Sequence, residues 1–305
     1  MSYNKITAVV VTYNRLNCLK MVVGCLKSQS YPLQQIIIIN NGATDGTYEW
    51  LNSQSGLVVI HQNNVGGSGG FHRGIQEALK YDNDWVWCMD DDVYPRQNCL
   101  EHLLKESSTS HVGILCPQRI QNNKIFISEF KKLNLSNPFL KLHQKVLTED
   151  DFKNGTSVEI EGMVFEGPLI KRQVIDSIGL PNQDLFILYD DTDYSYRAVE
   201  AGYKVLYVPH AVMDKEYFDS GMTRNEMLHK NRWKTWYHIR NTAYFCKYHA
   251  KNSFYRLIGG IGLPIHMVVA IMLNLPRNKK YEVKDLFMVI KMFSAGRRGV
   301  LGKMV

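Results

Sequence analysis

The sequence contains no Cys-x-x-Cys pair. Its six cysteines (Cys18, Cys25, Cys88, Cys99, Cys116 and Cys246) stand apart, mostly in apolar surroundings. That spacing argues against a zinc or disulfide framework and predicts buried thiols of a reducing compartment. The opening stretch, "MSYNKITAVVVTYN", has one lysine and an apolar run too short for a signal peptide, so a cytoplasmic protein is expected. Internal repeats are lacking, and at 45% hydrophobic and 21% charged residues the composition excludes overall disorder. Acid is scarce in one region only. From Leu228 to Val305 there are 15 Lys/Arg against two acids, Glu282 and Asp285, a net +13. The first 227 residues carry 21 Lys/Arg against 27 acids, a net −6. A basic tail on a mildly acidic body suits a solubilising or nucleic-acid-binding extension, or contact with an anionic membrane surface. A chain of 305 residues has room for one large core, or one domain with an appendage.

What is present is an alternation of strand and helix signals. "ITAVVVTY", "QIIIIN", "GLVVIHQ" and "WVWCMD" are apolar runs of the buried parallel type. Between them lie a helix with Leu16, Leu19, Val23 and Leu26 at helical spacing, for which Asn14 is the expected cap, then the "NNGATDGT" turn with a short helix to about Asn52, and a glycine-rich loop opening "GFHRGIQEALKY". The pattern predicts an open, mostly parallel α/β sheet with right-handed crossovers, whose ligands bind at the carboxyl ends of the strands. Four polar clusters fall there: Thr12–Arg15, Asn40–Asp45, Asn64–Gly70 and Asp90–Asp92. Residues 121–157 are irregular and read as an inserted or mobile segment without an assigned role. Order returns in "SVEIEGMVFEGPLIKR" and "DLFILYDDTDYSYRAVEAGYKVLYVP", and from Thr223 onward the chain is helical, aromatic and basic. The expected division is 1–222 as one domain, with halves 1–118 and 158–222, and 223–305 as a helical extension.

In "WVWCMDDDVYPR" an aromatic strand runs into three aspartates. Such a cluster can be a solvated turn or a helix cap, but an apolar strand here aims it at the ligand edge. Alternate carboxylates beside an oxygen-rich ligand suit Mg²⁺ or Mn²⁺, which binds through one or two carboxylates plus substrate phosphates. Asp90 and Asp92 are then the metal pair, with Asp91 turned toward the sugar or ribose.

With "VVVTYNR", "NNGATDGT", "NNVGGSGGFHRG", "WCMDDDVYP", "FEGPLIKR", "LYDDTDYSYRAVEAGYKVLYVP" and "WYHIRN" in this order, the chain resembles family 2 inverting glycosyltransferases of the GT-A fold. The resemblance covers roughly Ile6 to Phe245, and is greatest to the rhamnosyl- and galactofuranosyl-transferase branch that builds bacterial surface glycans. It implies a metal-dependent hexosyltransferase with a Rossmann-like sheet, a UDP- or dTDP-sugar donor, a glycan or polyprenyl-diphosphate-linked acceptor, and no nucleic acid partner. Thr12, Tyr13, Asn14 and Arg15 would meet the base and diphosphate, Arg15 as a fixed charge for phosphate. Asn40, Asn41 and Asp45 would bond the pyrimidine or ribose, although many relatives have Asp in place of Asn40. Asn64, Gly66, Gly67 and Arg73 complete the donor site, where glycine lets backbone approach the nucleotide and opens a helix whose N–H groups favour an anion. Two rival classes are a nucleotidyltransferase acting on sugar phosphates and a catalytically degenerate glycan-binding scaffold.

Inverting transfer needs one base near the acceptor hydroxyl and charge stabilisation on the departing diphosphate. The resemblance assigns that base to Asp191 in "YDDTDYSYR", with Asp190 as alternative and otherwise a contact to acceptor hydroxyls or a helix cap. Asp193 is spaced to pair with Arg197 at i,i+4. Relatives often carry a metal-binding histidine after a "VP" like that of "KVLYVPHAVMDK"; here the candidates are His210 and Asp214. Tyr189, Trp233, Trp236 and Tyr237 are candidates for stacking on sugars, or for core. Residues 257–275 hold 19 residues without a formal charge, long enough to span a bilayer but rich in glycine at one end. Flanking lysines and arginines favour a helix lying in the cytoplasmic leaflet, peripheral on the inner face of the cell membrane. The competing role is a buried helix at a homo-oligomer interface.

Overall fold

Strands with both faces apolar must lie inside, between two layers of helix. The computed structural model describes residues 4–218, 221–223, 226, 230–275 and 281–304. It opens with β1 (Ile6–Thr12), α1 (Leu16–Lys27), β2 (Gln35–Asn40), α2 (Thr47–Asn52), β3 (Val58–His61), α3 (Gly66–Ala78) and β4 (Trp85–Asp90). Alternate residues of β1 feed two cores: Ile6, Ala8 and Val10 pack on one face, Val9 and Val11 on the other. β5 (Val93–Pro95), α4 (Cys99–Lys105), β6 (Val112–Gln121), β7 (Lys124–Phe126), β8 (Phe130–Leu133), β9 (His143–Val146), α5 (Glu149–Phe152), β10 (Val158–Ile160), β11 (Leu169–Lys171), α6 (Arg172–Ile178), α7 (Asp190–Glu200) and β12 (Lys204–Lys215) follow.

The main sheet runs β10-β12-β6-β11-β4-β1-β2-β3, with β5 and β7 pairing at β12 and β6. Its β4-β1-β2-β3 half is parallel, as expected. β11 lies antiparallel between β4 and β6, so the sheet as a whole is mixed. The register sets Thr12 beside Asn40, and Val11 beside Asp90, which brings the polar clusters to one edge. All six cysteines are free thiols, four of them buried.

Residues 121–157 are not an unstructured insertion. They contain β7, β8, β9 and α5, and Glu129 within them is buried against Arg119. Their polar, asparagine-rich turns obscured strands of only three or four residues.

Two compact units are present. One comprises Met1–Lys132, Lys145–Gln183 and Asp191–Tyr217; the other comprises Leu133–Gln144, Asp184–Asp190 and Phe218–Val305. In the second, α8 (Arg232–Tyr248), α9 (Ser253–Ile258), α10 (Gly262–Asn274) and α11 (Val283–Arg298) pack around Trp236, Ile239, Ile271, Val289 and Met292. Gly296 is required there, because a Cβ would lie 2.0 Å from the Arg240 carbonyl oxygen. Ser253–Asn274 is the one stretch among the described residues long and apolar enough to cross a membrane, with mean hydropathy 1.9 and little of it buried. Arg277, Lys279 and Lys280, its expected basic flank, lie outside the described residues.

Candidate active site

The loops at the carboxyl edge are tied together by the side chains expected to meet the donor. Asp91 is buried; its carboxylate accepts from Thr12 Oγ1 (2.7 Å), the Tyr13 N–H (3.3 Å) and Arg15 Nη1 (3.1 Å). It therefore turns into the fold and holds the first loop, rather than facing a sugar. Asn14 sits at φ 52° and does not cap α1. Its Oδ1 accepts instead from the Thr44 N–H at 2.7 Å, and the Leu16 N–H at the start of α1 is met by Asp45 Oδ2 at 2.9 Å. Asp45 Oδ1 also accepts from the Thr47 hydroxyl. Burial opposes the Asp45 charge, but these bonds from Thr47 and Leu16 prevail and hold its pKa below the usual range.

Asn40 joins His61 and the Ala43 N–H, while Asn41 spans the Gln62 side chain, the Val65 N–H and the Gly66 carbonyl. Asn64 Oδ1 accepts from the Gly66 N–H. Among the glycines, Gly66 is at φ 80° at the start of α3, and Gly67 faces open space. Gly70 and Gly74 have another purpose: a Cβ there would meet Val11 at 2.5 Å and Val9 at 2.3 Å, so they let α3 lie close on β1. Arg73 is exposed on α3, and Tyr13 is half exposed at the loop tip.

Beyond Asp91 an ionic chain runs through the first unit. Arg15 reaches Asp92 at 2.8 Å, and Lys215 lies 3.6 Å from Asp92 and 2.8 Å from Glu166. Glu166 in turn pairs with Arg119 at 2.7 Å, and Arg119, wholly buried, pairs with buried Glu129 at 2.5 Å. With Asp90 included, five carboxylates meet three cations, a formal excess of two negative charges. Burial works against the Glu166 charge, but Arg119 and Lys215 hold its pKa below the ordinary value. Asp90 is pushed well above it, by burial first and then by Asp92, Glu166 and Asp91.

These features fit a hard divalent cation. Asp92 Oδ1 is buried without a hydrogen-bond partner, with the Lys215 ammonium 3.6 Å away, and an excess of formal negative charge is what such an ion cancels. Among the described residues no three His, Cys, Asp or Glu groups converge to form a cage. Two carboxylates with a substrate diphosphate is the usual Mg²⁺-type arrangement in any case. Asp214 and His210 do not join the aspartates. Neighbouring residues on a strand face opposite sides: Lys215 turns to Asp92, and Asp214 makes a two-pronged pair with Arg96 at 2.8 and 3.0 Å. His210 sits in an irregularity of β12 between Val208 and Val212, exposed and 6.3 Å from the His102 ring. The ligand roles expected for both are not met by this geometry.

The second acidic cluster opens α7. The Asp191 carboxylate accepts from the Thr192 N–H at 2.6 Å, and Asp193 pairs with Arg197 at 2.9 Å as the spacing predicted. Asp190, largely buried, is its first residue. The approach to it is strained: Phe186, Leu188 and Tyr189 all have φ between 66° and 69°, unusual for side chains of this size. Within the second unit, Asn241 Nδ2 donates to the carbonyls of Leu185, Ile187 and Leu188 at 3.0, 2.9 and 2.8 Å, and Arg240 donates to Leu185 O at 2.8 Å. Trp236, Tyr237 and Tyr189 are buried core residues, Tyr237 stacked on Phe186 at 5.1 Å; Trp233 is the more exposed aromatic.

Sequence reasoning missed Glu166, Lys215, Arg119, Arg240 and Asn241. Glu166 lies in "FEGPLIKR" and the last two in "WYHIRN", motifs whose presence was noted but whose side chains had no partner until the fold supplied one.

The family model described as Glycosyl transferase family 2 matches residues 7–163. The chain is 25% identical over 208 residues to galactofuranosyltransferase GlfT1 of Mycolicibacterium smegmatis, covering 65% of this chain and 66% of that one, slightly under two thirds of the relative. It is also 25% identical over 251 residues to dTDP-rhamnosyl transferase RfbF of Shigella flexneri, covering 78% of each. Among solved structures, that of GalNAc-T7 with UDP, GalNAc and Mn²⁺ superposes with a TM-score of 0.57 at 17% identity, over 84% of this chain and 54% of that one; it shares the fold.

Proposed function

The chain belongs to glycosyl transferase family 2, and we propose that it is a cation-dependent inverting enzyme that moves galactofuranose or rhamnose from a UDP- or dTDP-sugar to a cell-surface glycan acceptor. One observation carries the reading: the unmatched negative charge at the end of β4, with Asp92 Oδ1 buried and unbonded. A degenerate scaffold has no reason to keep that electrostatic debt. Asp90 and Asp92 would hold Mn²⁺ or Mg²⁺, whose charge neutralises the donor diphosphate. The GalNAc-T7 structure is one with UDP, GalNAc and Mn²⁺. The choice of sugar rests on the names of the relatives GlfT1 and RfbF.

The chain's own residues supply the rest. Arg15 already bridges Asp91 and Asp92, which holds its guanidinium at the carboxyl edge and supports its role as a fixed charge for the donor phosphate. Asp191 takes the proton of the acceptor hydroxyl as that oxygen attacks the anomeric carbon, and the nucleoside diphosphate leaves from the opposite face. Asp190 contacts acceptor hydroxyls. The exposed apolar surface of α10, on a basic tail, seats the enzyme on the inner leaflet.

The test is a donor panel of UDP- and dTDP-sugars, read by calorimetry and by transfer, with Mn²⁺ and with chelator. Asp92→Ala is expected to lose cation-dependent donor binding. Asp191→Asn is expected to keep donor affinity and lose transfer by 10²-fold or more, the order of a general base's contribution. Near-normal turnover by Asp191→Asn would overturn the assignment of the base.

A further inference from the structure

The second unit contains a cavity of about 540 Å³ that none of the donor chemistry uses. Its floor is α8, where His238, Thr242 and Cys246 recur one turn apart, a run of roughly 12 Å. One wall is the segment Pro138–His143; the other is the start of α10, with Gly262, Leu263 and His266. Tyr189 closes one end, its ring 5.8 Å from that of His238, and Gly260 turns beside Cys246 at the other. We propose that this cavity binds the apolar chain of a lipid-linked acceptor, with the polar end of the lipid toward Tyr189.

Four observations converge on that occupant. Lys141 is the only formally charged side chain in the lining. Burial, then neighbouring His238, holds His143 down at about 4, and burial also lowers His238, so both imidazoles are neutral near pH 7 and add no cationic grip to that of Lys141. Next, the lining continues into an exposed apolar surface on the same helix. At 100° per residue Ile265, Val269, Met272 and Leu273 occupy an arc of roughly 100° that includes Gly262, and His266 and Leu263 continue it on one side. Those four are 49–63% exposed, and Leu257 on α9 is 70% exposed. A chain leaving a bilayer along that surface would enter the cavity without crossing water.

Third, Thr242 Oγ1 is buried with no partner among the described residues, so one unpaired polar atom stands in a mostly apolar lining. An amphiphile satisfies both demands, which neither a bare hydrocarbon nor a free sugar does. Finally, the chain runs from Tyr189 directly into Asp190 and Asp191. A lipid whose polar end stops at Tyr189 ends two residues from the proposed base. That last point rests on the glycosyltransferase reading; the lipid-binding claim does not.

The probe is geranylgeranyl phosphate carrying a diazirine on its last isoprene unit, photolysed with the full-length protein and mapped by peptide mass spectrometry. Labelling is expected within residues 138–143 and 260–266. Excess unlabelled geranylgeranyl phosphate should compete and inorganic pyrophosphate should not. Leu263→Trp and His266→Trp, which fill the cavity from its inner and outer sides, should each cut labelling at least tenfold. Thr242→Val should lower the affinity of the phosphate-bearing probe several-fold while leaving labelling by the terminal diazirine in the same peptides. Labelling confined to Val269 and Met272, competition by pyrophosphate, or indifference to a folded tryptophan variant would each overturn the proposal, and the wild-type map stands whether or not a variant folds. Asp191→Asn should label like wild type. Donor binding measured on the same samples separates the two readings, since its loss with labelling intact would strike only the glycosyltransferase mechanism.

Discussion

Asn241 is the side chain on which the geometry before Asp191 depends most heavily, and its replacement tests that dependence. Three large residues between Leu185 and Asp190 hold left-handed backbone, a conformation costing of order 1–3 kcal/mol at each site unless the surroundings enforce it. The enforcement is a single carboxamide nitrogen shared among three carbonyls, with Arg240 reaching only the first of them directly. Asn241→Ala therefore orphans the Ile187 and Leu188 carbonyls, at about 1–3 kcal/mol each if the loop stays put. The loop has a cheaper option, which is to release the strain and move. A displacement near 1 Å at a reacting group costs about 10²-fold in rate. The expected result is a kcat lowered about 100-fold, with donor affinity within twofold of wild type and hydrogen exchange accelerated at residues 186–189. Asn241→Asp, nearly isosteric but unable to donate, should behave the same way. The assay is steady-state transfer, or donor hydrolysis where an acceptor is lacking, beside calorimetry and exchange on the same protein. Faster exchange with kcat unchanged within threefold would refute the claim that this loop positions the proposed base, Asp191.

Two further expectations follow from packing and burial. Gly74→Ala places a Cβ 2.3 Å from Val9 Cγ1, so stability should fall by about 1–3 kcal/mol and recover in part in the Gly74→Ala, Val9→Ala double variant; additivity of the two singles by chemical denaturation would refute the close-approach argument. His143 is held at about 4 by burial and by His238, against roughly 6.5 when free, so the unfolded chain takes up its proton first as pH falls. Stability from this group is complete above pH 6.5 and is lost between 6.5 and 4, by up to about 3 kcal/mol; His143→Gln should flatten that slope in a denaturation series, and an unchanged slope would remove the explanation.

The parallel half of the sheet was legible because its signal is redundant. Four β-branched or aromatic runs, each followed by a polar cluster, leave little choice of topology, and β1 through β4 fall where the runs predicted. The mixed half was harder to read, since β7, β10 and β11 are three residues each and carry no periodicity of their own. Within the site, residue types were readable and partners were not. Asn14 looked like a helix cap, yet the cap of α1 comes from Asp45, 29 positions away. The Gly-rich stretch suggested close approach to a ligand, whereas Gly70 and Gly74 answer to Val11 and Val9. Asp214 and Lys215 are adjacent in sequence, and only the pleat of β12 decides which of them meets Asp92. Long-range pairing of this kind is absent from local sequence, which is why Glu166 and Asn241 stood in recognised motifs without a role.

The same bookkeeping explains why three adjacent aspartates are tolerable. Their fates differ because their surroundings do. Asp91 is neutralised within the fold by Arg15 and by two hydrogen bonds from β1 and the loop after it, so it acts as a tie whatever is bound. Asp92 gives Oδ2 to Arg15, while its buried Oδ1 makes no hydrogen bond and has the Lys215 ammonium only at 3.6 Å. Asp90 faces Asp92, Glu166 and Asp91, and that repulsion, added to burial, pushes its proton affinity well up. The repulsion among the three is thus not spread evenly: burial and its neighbours raise Asp90 furthest, Asp91 is raised too despite its ties, and Asp92 keeps one oxygen without a hydrogen bond. Lys215 cannot relieve it alone, because Glu166 holds the ammonium at 2.8 Å and draws it away. In the proposed function, a cation brought in with an anionic diphosphate would relieve it without breaking the ties, which a neutral ligand would not. On the proposed reading, the charge of the ligand would therefore be selected before any contact to a base or a sugar is made.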